Sequence, residues 1–344
     1  MSQGRQIRTF DSPFPLENGG ELHPLQLAFH SSGTLNTERD NVILITHALT
    51  GSSDAFDWWE PVIGPGRAID TSGYFVLCVN VLGSPYGSTS PLTYQDFGKS
   101  PAEFPKITIR DVVRSQRWLT DSLGITAIQS VIGGSLGGMT ALEWGIMYPD
   151  LVKSIVSIGS SARHSAWCIG WSAAQRQAIR NDPAWNHGNY GKNPPKQGLA
   201  LARQIAMISY RSMSSFSERF GRELQDGTAD FYTVESYLDY QGKKLVERFD
   251  ANCYIELTKI MDTHDVSRDR APCPEVLESI RQPTQIISID TDVLYVPAEQ
   301  KELAEYIPHS ECYEINSIHG HDAFLIEFEQ VEEALRNFGE RYWE

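Results

Sequence analysis

Val131-Ile132-Gly133-Gly134-Ser135-Leu136-Gly137-Gly138-Met139 is an apolar run that closes on a serine enclosed by glycines. Within it, Gly133-Gly134-Ser135-Leu136-Gly137 reads as G-x-S-x-G, the pattern of a tight strand-to-helix turn carrying a nucleophilic serine. The spacing has a steric origin. Side chains two positions either side of the serine would collide in so sharp a turn, and glycine has none. The β-branched stretch 129–132 predicts the strand, and 139–147 predicts a buried helix closed by Pro149. The start of that helix would aim backbone N–H groups at negative charge forming beside Ser135. The same residues also fit an ordinary glycine-rich turn, so the rest of the chain has to decide.

Composition narrows the field. A chain of 344 residues can bury a large core, as one domain or as a core with an insertion. Its longest apolar runs fall well short of the roughly 20 residues a membrane helix needs, and Met1-Ser2-Gln3-Gly4-Arg5 has no apolar leader segment. Cys78, Cys168, Cys253, Cys273 and Cys312 are odd in number and never spaced C-x-x-C. That pattern predicts reduced thiols in a cytoplasm, with no disulfide frame and no zinc cluster. The net charge of −15 argues against nucleic acid as a partner. It leaves a small anionic substrate open, because such a ligand answers to local charge.

Three sections follow along the chain. Residues 1–162 form the first part of a core, in which predicted strands at 41–46, 74–81, 129–134 and 152–158 alternate with helices at 109–123 and 138–147. Such alternation argues for a mostly parallel sheet covered on both faces. Residues 163–275 carry helical spacing at 173–179, 198–210, 242–246 and 251–261, which reads as an inserted helical lid. Residues 276–344 return to the core rhythm: strands at 284–290 and 311–315, helices at 298–306 and 330–342.

In such a sheet the partners of the serine follow in the order acid, then histidine, each on a loop after a C-terminal strand. The first loop offers Asp290 and Asp292. Asp290 ends the strand, whereas Asp292 can turn toward a histidine and is preferred. The second offers His319 and His321, and His321 is preferred because it follows Gly320 and precedes the apolar helix expected at 323–326. Singly, each has a bland reading as a turn acid or a surface histidine. In the required order they assign Ser135 as nucleophile, His321 as base and Asp292 as the group that orients it. The oxyanion of acyl transfer needs two donors: Leu136 N–H, after the nucleophile, and a donor from His47-Ala48-Leu49-Thr50-Gly51. Leu49 is the candidate, and spacing alone leaves Ala48 open. His264-Asp265 reads as structural, and Arg110-Asp111 as a helix-start ion pair.

These motifs, in this order, resemble the homoserine O-acyltransferase family. The resemblance runs nearly end to end and includes His47-Ala48-Leu49-Thr50-Gly51, Thr108-Ile109-Arg110-Asp111-Val112-Val113, the Ser135 turn, Leu142-Glu143-Trp144, Gly198-Leu199-Ala200-Leu201-Ala202-Arg203, Tyr210-Arg211-Ser212, Arg248-Phe249-Asp250-Ala251-Asn252 and Gly320-His321-Asp322-Ala323-Phe324-Leu325. It implies the α/β-hydrolase fold with Ser135, Asp292 and His321 as triad, Leu49 and Leu136 as oxyanion donors, and a helical lid. It also implies that Arg203 and Tyr210 bind an amino-acid carboxylate and Asp322 its ammonium. The bland readings are a salt bridge, packing and a helix N-cap. Chemistry agrees with the first set: a guanidinium forks onto a carboxylate, and seven residues separate Arg203 from Tyr210 on one helical face.

The implied reaction is ping-pong transfer of acetyl from acetyl-CoA, as co-substrate, to the hydroxyl of L-homoserine, giving O-acetyl-L-homoserine for methionine biosynthesis. No bound cofactor or metal is implied, and a homodimer is. The chain departs from the family pattern at Gly83-Ser84-Pro85-Tyr86-Gly87-Ser88-Thr89-Ser90-Pro91 and at Ser52-Ser53-Asp54. Both lie near the nucleophile and leave acetyl or succinyl as donor, and homoserine or serine as acceptor, open. Two other readings are a carboxylesterase, with water as acceptor, and a catalytically silent binding module. An intact Ser135, Asp292 and His321 argue against the module.

Overall fold

A computed structural model describes residues 3–228 and 230–343 and is built on an eight-stranded sheet. The strands are β1 (Gln3–Phe10), β2 (Leu25–Ser32), β3 (Val42–Thr46), β4 (Phe75–Val79), β5 (Ile128–Gly134), β6 (Ile155–Ile158), β7 (Thr284–Ile289) and β8 (Ser310–Ile315). Their spatial order is β1-β2-β4-β3-β5-β6-β7-β8. From β4 onward every neighbouring pair is parallel, while β1 and β2 extend the sheet antiparallel. β3 shows why its sequence is apolar throughout. Val42 and Leu44 face one core layer, Ile43 and Ile45 the other, so both faces are dry.

One layer holds α1 (Ile109–Ser122) and α2 (Leu136–Met147). α1 begins at a capping box, in which Thr108 Oγ1 accepts from Asp111 N–H and the Asp111 carboxylate accepts from Thr108 N–H. This corrects the expected Arg110–Asp111 pair. The capping role turns Asp111 back along the helix, where it meets Arg114, while Arg110 reaches Glu17 at 2.9 Å and Glu143 at 3.6 Å.

Between β6 and β7 the described residues contribute no strand to the sheet. They form α3 (Ala166–Arg180), α4 (Lys196–Tyr210), α5 (Met213–Phe220), α6 (Thr233–Val246) and α7 (Ala251–Asp262). α4 packs on α3 and α6, and α7 packs on α3. After β7 come α8 (Pro297–Tyr306) and, beyond β8, α9 (Phe328–Tyr342). α9 buries Val331, Ala334, Leu335 and Phe338 against the second core layer, a helical stripe of 3- and 4-residue steps. No helix of the described residues is long and apolar enough to cross a membrane.

The structure differs from sequence expectation in local ways. β1 and β2 precede the region read as sheet. α2 starts at Leu136 rather than at Gly138, because burial of its whole surface outweighs the weak helical preference of its glycines. α5 was not anticipated. The expected helix at 323–326 is a single 3₁₀ stretch, Gly320–Leu325, too short to settle into α geometry.

The closest approach in the core falls at Gly137. A Cβ there would stand 1.9 Å from the Thr46 carbonyl oxygen at the end of β3. Gly137→Ala is therefore expected to lose about 3 kcal/mol of stability, read as a shift in the urea unfolding midpoint, with the Ser135 turn displaced.

Candidate active site

β5 ends at Gly134 and α2 begins at Leu136, which leaves Ser135 alone in the turn at φ +57°, ψ −122°. A serine in that region is strained by on the order of 1–3 kcal/mol. Its neighbours over-determine it. Ser135 N–H donates to Ile158 O at 2.9 Å, and its carbonyl accepts from Met139 N–H at 3.1 Å. Thr46 Oγ1 donates to Gly137 O at 2.8 Å and ties β3 to the far side of the turn.

Asp292 and His321 meet in the same region. His321 Nδ1–H donates to Asp292 Oδ2 at 2.7 Å, and both side chains are buried. Asp292 Oδ1 accepts from the N–H groups of Leu294 (2.8 Å) and Tyr295 (2.9 Å). Burial alone would depress the imidazole, but the Asp292 charge and hydrogen bond outweigh it and hold His321 above its ordinary 6.5. The alternatives point elsewhere. Asp290 Oδ1 accepts from Ser317 N–H at 3.0 Å, and His319 Nδ1 accepts from Arg211 at 3.4 Å.

Two loops are stitched residue by residue. Asp290 holds Ser317, Thr291 Oγ1 donates to Ser317 O and accepts from Gly320 N–H (3.1 Å), and Asp292 holds His321. Gly320, at φ +66°, lets the helical block approach this loop. A Cβ there would stand 2.7 Å from Ser212 N.

His47 shapes the facing loop. Its Nε2 accepts from Val81 N–H at 3.0 Å, and a backbone amide can only donate, so the ring proton is on Nδ1. Nδ1–H then donates to the Ala48 carbonyl at 2.9 Å, which also accepts from Gly51 N–H at 2.9 Å. The 48–49 peptide is trans, so fixing the Ala48 carbonyl turns Leu49 N–H to the opposite side. Leu49 lines the same cavity as Ser135 and His321. Leu136, the first helical residue, has an N–H with no intrahelical acceptor.

That cavity, of about 60 Å³, is lined by Ser135 and His321 and also by Arg203, Tyr210 and Asp322. The Arg203 guanidinium lies 5.5 Å from the Tyr210 ring centroid, both on α4. Burial, and to a smaller extent Asp322, push the Tyr210 hydroxyl up to about 12 against the pull of Arg203, so it stays a neutral phenol. Its hydroxyl is hydrogen-bonded to Tyr254, whose own O–H donates to Gln175 Oε1 at 2.7 Å. Asp322 lies 3.3 Å from Arg211 Nε. Burial raises its carboxyl above the ordinary value, and Arg211, Arg203 and His321 oppose this. Within Tyr210-Arg211-Ser212 the sequence assigns no role to Arg211, which the structure places on Asp322. The basic residue beside Tyr210 was the available signal.

The profile of the alpha/beta hydrolase fold matches residues 41–327. A homoserine O-acetyltransferase of Nostoc punctiforme is 53% identical over 344 residues, covering 98% of this chain and 96% of the relative. The chain belongs to the homoserine O-acetyltransferase family. This is a family of acyltransferases, and its architecture is the α/β-hydrolase fold described above. The crystal structure of a homoserine O-acetyltransferase from Bacillus anthracis superposes with a TM-score of 0.89 at 28% identity, covering 98% of this chain and 97% of that one. Esterase E22 superposes with a TM-score of 0.90 at 27% identity, covering 98% and 100%. The scaffold of the homoserine O-acetyltransferase family is thus shared with an esterase, and the side chains around the serine have to separate transfer from hydrolysis.

Burial pushes the His47 imidazole down to about 4 despite its bond to Ala48. The folded state therefore keeps His47 neutral where the unfolded chain, near 6.5, takes up a proton. Stability is full above 6.5 and falls as pH drops toward 4, by roughly 3 kcal/mol from this residue. Urea midpoints measured from pH 7 to pH 4.5 should show this loss, and His47→Gln should flatten it.

Proposed function

We propose that this protein transfers an acetyl group from acetyl-CoA to the hydroxyl of L-homoserine through an acyl-Ser135 intermediate, giving O-acetyl-L-homoserine for methionine biosynthesis. The observation that carries this reading is one cavity in which Ser135 and His321 share the lining with Arg203, Tyr210 and Asp322. The names of the relatives agree with it.

In the first half-reaction Ser135 Oγ gives its proton to His321 and attacks the thioester carbonyl. The N–H groups of Leu49 and Leu136 receive the oxyanion. Collapse expels the CoA thiolate, which takes the proton back from His321. In the second, the homoserine hydroxyl gives its proton to His321 and attacks the acyl carbon, and Ser135 leaves reprotonated. Asp292 stabilises the imidazolium in both. Arg203, with Tyr210, takes the acceptor's carboxylate, and Asp322 takes its ammonium.

The names of the relatives support acetyl over succinyl. The helical block supports transfer over hydrolysis, since α4 supplies Arg203 and Tyr210 and covers the serine from water. Free thiols at all five cysteines fit a cytoplasmic setting. Exposed Leu201, Ile208 and Met213 on the helical block support pairing of two copies.

Intact-protein mass spectrometry tests the reading. Acetyl-CoA should add an acetyl mass to Ser135 that homoserine clears far faster than buffer or serine. An adduct that buffer clears equally fast would make the protein an esterase. Arg203→Ala should slow clearance by homoserine more than tenfold and spare acylation; equal loss in both steps would remove Arg203 from the acceptor site.

The acylation rate should rise with pH through a midpoint above 6.5, because the reaction needs neutral His321 and Asp292 raises its pKa. Asp292→Asn should cut the rate by about 10⁴-fold, measured as single-turnover acylation.

A further inference from the structure

Gln300 is a fully buried amide on α8, in a place where a leucine or methionine would fill the volume without desolvating a polar group. Its bonds explain why an amide stands there. Oε1 accepts from the N–H of Ile289, the last residue of β7, at 3.1 Å. A backbone N–H can only donate, which fixes the orientation of the amide and puts Nε2 on the other side. Nε2 donates to the Tyr295 carbonyl and to Asp292 Oδ2, the latter at 3.3 Å.

Oδ2 is the same oxygen that accepts from His321. The carboxylate of Asp292 thus has four donors: Leu294 N–H and Tyr295 N–H on Oδ1, His321 and Gln300 on Oδ2. Two of these belong to the loop of Asp292 itself, and the third is the base. Gln300 is the one donor that ties the carboxylate to the sheet, through Ile289. A plain cap of the β7 end needs only the bonds to Ile289 and Tyr295.

We propose that Gln300 is a positioning residue that holds the Asp292 carboxylate in the plane of the His321 imidazole and so sets how strongly Asp292 stabilises the imidazolium. This rests on the reading of Ser135, His321 and Asp292 as the acyl-transfer machinery. Without Nε2–H, Oδ2 keeps one donor, and the carboxylate can pivot about the two bonds that Oδ1 accepts from its own loop. The hydrogen bond to Nδ1 then weakens, although no reacting atom has been touched. Alignment rather than binding is what Gln300 supplies.

The test uses the full chain and p-nitrophenyl acetate, a reactive ester that acylates the serine whatever the natural donor and acceptor are. Gln300→Met keeps the volume and removes the amide. Its burst rate of p-nitrophenol release should fall about 10- to 100-fold, the size of effect seen when the partners that orient metal-ligating side chains are lost, with KM unchanged. The pH midpoint of that rate should move down, because His321 loses part of the hold that raises it. In an Asp292→Asn background, Gln300→Met should cost nothing further.

Gln300→Glu keeps an acceptor for Ile289 N–H and turns an acceptor toward Asp292, so it too should be slow even where its thermal midpoint is native. Wild-type burst rate and pH midpoint in Gln300→Met or Gln300→Glu, whatever the change in melting temperature, would reduce Gln300 to a strand cap. So would an equal loss in the Asp292→Asn background. A Ser135→Ala variant that releases p-nitrophenol as fast as wild type would overturn the reading of Ser135 itself, whereas a normal wild-type rate unchanged in the Gln300 variants would overturn only the role of Gln300.

Discussion

The end of β3 presses against the Ser135 turn so closely that no Cβ fits between them at Gly137. Much of the site follows from that contact. Thr46 supplies the crowding carbonyl and, through Oγ1, the hydrogen bond that locks Gly137 O. The next residue, His47, begins the loop that brings Leu49 to the wall of the cavity. One strand end therefore fixes Ser135 and the loop that faces it together. The strain at Ser135 is sustained because β3, β6 and α2 each restrain the turn from a different side.

The opposite half of the cavity is held by a second set of contacts. Three consecutive residues after β7 each grip the loop after β8, so Asp292 and His321 cannot move independently. The helical block leans on the same loop at Gly320, and Ser212 Oγ donates to Ile318 O there. The block is thus coupled to the histidine loop by backbone as well as by side chains. A scaffold shared with an esterase can favour a different acceptor by changing what α4 presents to the serine.

Charge in the cavity is local and arranged. The chain carries −15 overall, yet Asp322, next to His321 in sequence, has Arg211 at 3.3 Å and feels the charge of Arg203. Burial pushes the imidazoles of His47 and His321 both down, and their partners decide the outcome. His47 is driven neutral because its partners are uncharged backbone atoms, while His321 is held up because its partner is an ionised carboxylate. Two buried histidines differ in what faces them, and only one is left ready to take a proton.

The sequence alone carried the order of the sheet strands from residue 40 onward, because strands dry on both faces are apolar throughout and the Ser135 turn admits only glycine at its tightest points. It also carried which acid and histidine loops to search, since their order along the chain follows from the sheet. It did not carry β1 and β2, whose antiparallel pairing depends on a neighbouring strand, although the alternation of Leu25, Leu27 and Phe29 held a faint sign. Nor did it carry Gln300, His47 or Arg211. An amide on a helix, a histidine after a strand and an arginine after a helix are commonplace locally. Their partners are Asp292 for Gln300, Val81 for His47 and Asp322 for Arg211. Two of the three pairs join residues far apart in sequence, and even the third depends on a loop folding back onto its helix. Hydrogen bonds depend on distance and direction in space, so those assignments belonged to the tertiary structure.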